Sequence, residues 1–173
     1  MNVLWFKRDL RIEDHDALNK ALKIESILPL YIFEPKLWQQ PDMSYRHYVF
    51  LQECVSELDR SLNALGQKLI IKIGNAVDVL EDLQKRHRIQ ALWSHQETWN
   101  GWTYDRDKAV KHWCDSHSIS WHEPVQNGVT RRLKNRNGWS ARWYQQMKQH
   151  VLDTPTQLKA IEEQSETLPS PAE

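Results

Sequence analysis

The chain has few of the residues that mark secreted, membrane and nucleotide-binding proteins. Its 173 residues include two cysteines, Cys54 and Cys114, without a CxxC motif, so a disulfide framework is not expected. No apolar run approaches the roughly 18 residues of a membrane span, and no signal peptide is visible. Only five glycines occur, and none follows the first apolar run, which excludes a P-loop or dinucleotide fingerprint there. These absences favour a cytoplasmic protein with reduced thiols.

The chain also has no excess of charge of either sign, because 23 basic residues balance 23 acidic ones. The balance hides an acidic, proline-containing end: residues 153–173 hold five acids and one base, which is typical of a linker or frayed tail. The mild basic excess of residues 1–152 is too weak to indicate nucleic-acid binding alone. Tryptophan is abundant instead, and nine indoles predict a second apolar surface besides the core, facing a chromophore, another domain or a second copy.

Apolar runs alternate with amphipathic segments along the first 152 residues. The strands are predicted at 3–7, 26–33, 68–73, 89–93 and 119–124, and the helices at 14–24, 44–65, 76–88, 102–116 and 139–152. This alternation predicts an α/β fold with a parallel sheet. Pro29 lies inside the second strand and cannot donate to the ladder, so we expect it near the strand's start or at an edge.

Ligand sites in such sheets lie beyond the carboxyl ends of the strands, which directs attention to two charged segments. The first strand runs into Lys7, Arg8, Asp9 and Arg11, which can hold an anionic ligand or can form a salt-bridged loop that closes the sheet. The fourth strand runs into Ser94–Arg106. There an acid, an amide and indoles can bind a planar heteroaromatic ring, or can form only a tight turn and a helix cap.

The segment Asn127–Trp143 interleaves arginines and a lysine with Trp139 and Trp143. Such a pattern can bind nucleic acid, although a surface that docks on a neighbouring domain is the plainer interpretation. The histidines and Cys114 have no recognisable zinc spacing, and no catalytic triad can be read from the sequence. We therefore assign no metal ligand and no catalytic residue.

Several motifs together resemble the DNA photolyase/cryptochrome family. The opening Trp5–Arg11 is similar to the family's W-F-(R/K)-R-D-L-R stretch, and Asp14–Leu18 resembles the acidic step that follows it. Arg46, Phe50 and Leu51 match the start of a long helix, and Arg106-Asp107 matches the end of the stretch after strand four. The resemblance covers about residues 1–150.

The resemblance implies a flavodoxin-like (Rossmann-like) three-layer α/β domain with a five-stranded parallel sheet, over residues 1–152. It implies an antenna chromophore, which in the family is a reduced folate, a deazaflavin or FMN. Residues 153–173 would then lead to a helical FAD domain beyond Glu173. The full-length protein would repair pyrimidine dimers in damaged DNA with light, without a membrane partner, and this chain alone would lack catalysis and could self-associate through its exposed interdomain face.

Residues at the strand ends and the motif matches together define the expected cofactor site. The set is Arg8, Asp9, Leu10, Arg11, Phe33, Arg46, Glu97, Trp99 and Asn100. Two other functions stay open: the N-terminal half of a light-sensing cryptochrome, and a nucleotide-binding module of the adenine-nucleotide hydrolase type. The second usually carries a Gly/Ser-rich phosphate loop after strand one, where this chain has Lys7-Arg8-Asp9.

Overall fold

Five parallel strands form one sheet in the order β3-β2-β1-β4-β5 in the computed structural model, which describes residues 1–23 and 26–170. The strands are β1 Asn2–Phe6, β2 Ile27–Phe33, β3 Ile70–Ile73, β4 Ala91–Trp93 and β5 Ser120–His122. The predicted five-stranded parallel sheet is confirmed. Strand β1 lies at its centre, and all five of its residues are buried because helices cover both faces.

Six helices accompany the sheet in the part of the chain that the structure describes: α1 Asp16–Leu22, α2 Pro35–Trp38, α3 Tyr45–Ala64, α4 Ala76–His87, α5 Gly101–Ser116 and α6 Trp139–Met147. The side chains of β1 alternate between two cores. Leu4 and Phe6 pack with residues of α1 and α3, while Val3 and Trp5 pack with residues of α4 and α5. This alternation is the period-two consequence of an extended strand, and it produces the three-layer architecture.

Side-chain caps set where the helices begin. Ser44, Asn75 and Asn100 each accept a backbone N–H in the first turn of α3, α4 and α5. The first helix was predicted from Asp14, but it begins at Asp16 because the His15 side chain caps it. The Ile24 end of that prediction lies outside the described residues.

Other elements also differ from the sequence prediction. Most strand bounds shift by one or two residues, and β4 and β5 are shorter than predicted. The short helix α2 was missed, because four residues carry no periodic signal. Helix α6 ends at Met147 rather than at Leu152. No helix within residues 1–23 and 26–170 is long and apolar enough to cross a membrane.

Pro29 is accommodated inside a central strand, as its third residue. It pairs with Leu4 of β1, while the pairing of β2 with β3 begins only at Leu30. The proline therefore lies near the start of the strand, as expected, where the second ladder has not yet formed.

Residues 153–170 pack against the domain, which corrects the interpretation of this stretch as frayed. The stretch is called the tail segment here; its Leu158 is 3% exposed and joins the core beside α3. The tail segment then follows the edge strand β3, where Ser165 Oγ accepts the Ile71 N–H at 2.9 Å and Glu166 accepts the Ile73 N–H. These polar contacts satisfy the open edge of β3. They hold the tail segment in place although its sequence has no apolar periodicity. Its role as a linker stays a prediction.

Candidate ligand cleft at the switch point

The chain order reverses beside β1, because β2 and β3 lie on one side of it and β4 and β5 on the other. Open parallel sheets bind ligands at this point, beyond the carboxyl ends of the strands. A cleft of about 400 Å³ opens there. The loops after β1, β4 and β5 line it with Lys7, Arg8, Asp9, Arg11, His95, Gln96, Glu97, Thr98, Gln126 and Asn127. This cleft is called the switch-point cleft below.

The buried Asp9 and His95 form one wall of the cleft, and the buried ring of His15 lies beside His95. Asp9 accepts the Lys7 backbone N–H at 2.9 Å, and its Oδ2 lies 2.6 Å from Nδ1 of His95. His15 Nε2 lies 3.0 Å from the same oxygen but makes no hydrogen bond within the described residues. Burial alone would raise the pKa of Asp9, but the contacts with His15 and His95 outweigh it and hold that pKa well below the usual range. Asp9 is therefore a carboxylate, and His95 must carry its proton on Nδ1.

Asp9, His15 and His95 offer three ligand atoms close together, as in a metal site. The tautomer of His15 argues against one. Its Nδ1 accepts the Leu18 backbone N–H at 3.0 Å, so the proton of the neutral ring is on Nε2, the atom that would have to bind the metal. Burial lowers the pKa of His15 and keeps the ring neutral. The cluster is hydrogen-bonded and does not fit a metal.

Arg8 and Glu97 form the mouth of the cleft. Arg8 Nη2 donates to Glu97 Oε1 at 2.7 Å, and its guanidinium lies 4.8 Å from the centre of the Trp99 ring. About half of the Arg8 side chain is exposed, whereas Glu97 is 5% exposed. Arg131 donates to the Glu97 backbone oxygen at 2.9 and 2.6 Å and so holds the loop after β4 in place. The mouth presents a half-exposed cation beside an aromatic face and a buried carboxylate.

A second ion network lies deeper under the sheet edge. Arg106 of α5 donates to Glu34 Oε2 at 2.9 Å and to Asp107 Oδ1 at 2.8 Å, with its guanidinium 4.7 Å from the Trp5 ring. Burial opposes the charge of Arg106, but these carboxylates outweigh it and raise the pKa of Arg106. Burial lowers the pKa of Lys7, whose ammonium lies 3.4 Å from Asp107. This network joins the ends of β1 and β2 to α5 and reaches the cleft through Lys7, which lines it.

The comparison with protein families decides the identity of this domain. The DNA photolyase family model matches residues 2–171. The chain belongs to the DNA photolyase family. The suspected resemblance is therefore confirmed over nearly the whole of the chain.

Named relatives of this photolyase-family chain include photoreceptors and photolyases. It is 35% identical over 101 residues to the blue-light photoreceptor PHR2 of Arabidopsis thaliana, covering 55% of this chain and 23% of that protein. A class III photolyase from Agrobacterium tumefaciens has the same fold, with a TM-score of 0.77 and 22% identity over 96% of this chain and 36% of the other. An archaeal photolyase from Sulfolobus tokodaii, described with two FAD molecules and a novel light-harvesting cofactor, gives a TM-score of 0.70 at 21% identity, covering 93% and 38%. The chain spans about a quarter to two fifths of these proteins.

The photolyase-family structure brings some of the predicted cofactor residues together. Arg8, Asp9, Arg11 and Glu97 line the switch-point cleft, and Trp99 adjoins it through Arg8. The other four do not line it. Leu10 packs against the core, Phe33 stacks on Trp38, Arg46 is exposed on α3, and Asn100 caps α5 while donating to Asp42.

Other residues of the site were outside the predicted cofactor set, although Lys7 and the segment Ser94–Arg106 had been named as candidates. Lys7, His95, Gln96, Thr98, Gln126 and Asn127 line the cleft, and His15, Glu34, Arg106 and Arg131 make contacts beside it. One signal was available: His95 follows β4 by two residues, so it reaches the same sheet edge as Asp9 after β1. This signal can be used only when the order of the strands in the sheet is known.

Proposed function

We propose that this domain binds an antenna chromophore in the switch-point cleft of a protein that repairs pyrimidine dimers in DNA with light. The observation that carries the proposal is the cleft itself, at the topological switch point of a photolyase-family fold. Its volume of about 400 Å³ falls within the roughly 300–1,000 Å³ of small-molecule sites. The light-harvesting cofactor named for the Sulfolobus tokodaii photolyase supports the same function for this chain.

The residues at the cleft suit a planar, anionic heterocycle. A reduced folate, a deazaflavin and FMN each combine a flat ring with acidic groups. Arg8 is half exposed and can turn from Glu97 towards a carboxylate or phosphate. Trp99 offers an aromatic face beside it, and Glu97 can accept hydrogen bonds from ring N–H groups.

The bound chromophore would supply light absorption and excitation transfer to the FAD expected in a helical domain of the full-length protein. The residues of this chain would bind the ring, orient it and exclude water. The ion network of Arg106, Glu34 and Asp107, each at least 90% buried, would hold Lys7 in place at the cleft through its contact with Asp107. Contact with damaged DNA would belong to the full-length protein.

Site-directed variants of the isolated domain test the proposal. Arg8→Ala and Trp99→Leu should each lower the affinity for the chromophore that wild type binds by about fivefold or more. Arg8→Ala removes a charge-assisted contact, and Trp99→Leu removes a stacking face. Arg60→Ala, an exposed change on α3, is the matched control and should leave affinity unchanged. Equal affinity in Arg8→Ala, Trp99→Leu and wild type would place the chromophore elsewhere.

A light-sensing role without repair is the second candidate function. The similarity to a protein named as a blue-light photoreceptor favours it. Illumination of the full-length protein with DNA that contains pyrimidine dimers separates the two. Loss of dimers supports repair, whereas a light-induced flavin change without dimer loss supports sensing.

A further inference from the structure

His95 is a buried group whose one free ring atom belongs to the cleft. Its side chain is 3% exposed and its Nδ1 is held by Asp9 at 2.6 Å. Within the described residues Nε2 has no hydrogen-bond partner, yet it is not among the side-chain atoms sealed from solvent. Since His95 lines the switch-point cleft and its Nδ1 is bonded to Asp9, Nε2 is the ring nitrogen left for a ligand there.

The surroundings of His95 fix which role Nε2 can take. Asp9 accepts the hydrogen bond from His95 Nδ1, and the tautomer set by this contact has its lone pair on Nε2, which can therefore accept a hydrogen bond. The ring cannot tilt freely, because the His15 ring lies 4.3 Å away, centre to centre, and His15 is in turn fixed by the Leu18 N–H. The chain therefore builds a positioned acceptor in a cleft otherwise rich in cationic donors.

The geometry points to His95 as a specificity-determining residue that accepts a hydrogen bond from a ring N–H of a planar heterocycle, a donor that FMN offers at its imide edge. This inference rests on the proposed chromophore function and names the ring edge that the cleft selects. The ligand must place a hydrogen-bond donor opposite Nε2. A ligand acceptor in that place would leave its own lone pair and that of Nε2 without a donor in a desolvated site.

The test removes the hydrogen bond between the ligand N–H and His95 Nε2 in two ways, once by changing the ligand and once by changing the protein. The probes are FMN and its N3-methyl derivative, which lacks the imide N–H, titrated into wild-type protein by fluorescence. N3-methylation should weaken binding between about fivefold and a hundredfold, as expected when a buried acceptor loses its donor. His95→Asn keeps a donor for Asp9 but removes Nε2, so it should weaken FMN binding similarly and should not distinguish FMN from N3-methyl-FMN.

Two further variants complete the design. His95→Gln restores an acceptor near the Nε2 position and should recover part of the FMN affinity, while the exposed His112→Asn on α5 should bind FMN as wild type does. If only a reduced folate or deazaflavin binds wild type, the His95 variants are measured with it. Should His95→Asn fail to fold, the N3-methyl comparison on wild type still decides.

The outcomes separate the two proposals. Binding of FMN and N3-methyl-FMN with equal affinity by wild type would overturn the role of His95 and leave the chromophore function standing. No binding of a flavin, a deazaflavin or a reduced folate by wild type would overturn both.

Discussion

Glu163→Gln tests whether the tail segment holds the edge of the domain through one buried carboxylate. The Glu163 side chain is 1% exposed; it accepts from Lys72 Nζ at 2.8 Å and pairs with Arg86 and His87 of α4. Burial opposes its charge, but these partners prevail and lower the pKa of Glu163 from 4.5 to about 2. A shift of this size corresponds to roughly 3 kcal/mol of unfolding free energy. Because Arg86 is about one third exposed, screening reduces the expected contribution to about 1–2 kcal/mol.

Urea unfolding followed by tryptophan fluorescence measures this contribution. At pH 7, Glu163→Gln should lower the free energy of unfolding by about 1–2 kcal/mol, whereas the exposed neighbour Glu162→Gln should change it little. The carboxylate is favoured in the folded state, so its stabilisation is complete above pH 4.5 and is lost as the pH falls towards 2. The difference between wild type and Glu163→Gln should therefore shrink below pH 4.5. Equal stability of the Glu163 and Glu162 variants at pH 7 would refute the reasoning.

Two further predictions concern the interior. Arg106→Met should lower the free energy of unfolding by about 3–5 kcal/mol, because Glu34 would stay buried without its cation. The control Lys108→Met, at an exposed position, should change the free energy of unfolding little. Similar urea midpoints for the two variants would contradict this prediction. Burial raises the pKa of the Cys114 thiol to about 12, so a thiol reagent at pH 8 should label Cys54 in the native protein and Cys114 only after unfolding, as mass mapping would show; native labelling of Cys114 would refute it.

The strands could be predicted because a parallel sheet covered on both faces leaves continuous apolar runs in the sequence. The same rule placed the cleft, since residues after β1 and β4 must meet at one edge of the sheet. Arg8, Asp9 and Glu97 were found in this way. Arg46 was carried over from motif similarity alone, and the structure places it on the exposed side of α3 instead.

The rest of the site depends on contacts between distant residues. Asp9 and His95 are 86 positions apart, and neither position alone indicates a shared hydrogen bond. The tail segment was read as a linker or frayed end because its composition is polar. The tail segment is held by Leu158 in the core, by the ion pairs of Glu163 with residues of β3 and α4, and by the hydrogen bond of Ser165 to β3. A hydropathy pattern does not record such polar contacts.

Chromophore binding by the isolated domain tests the central claim most directly. Equilibrium dialysis of wild-type protein against FMN, a deazaflavin and a reduced folate should show one of them bound at one molecule per chain. The same ligand should quench tryptophan fluorescence, because Trp99 lies beside Arg8 at the mouth of the cleft. No saturable binding of any of the three by folded wild-type protein would contradict the claim that this domain carries an antenna.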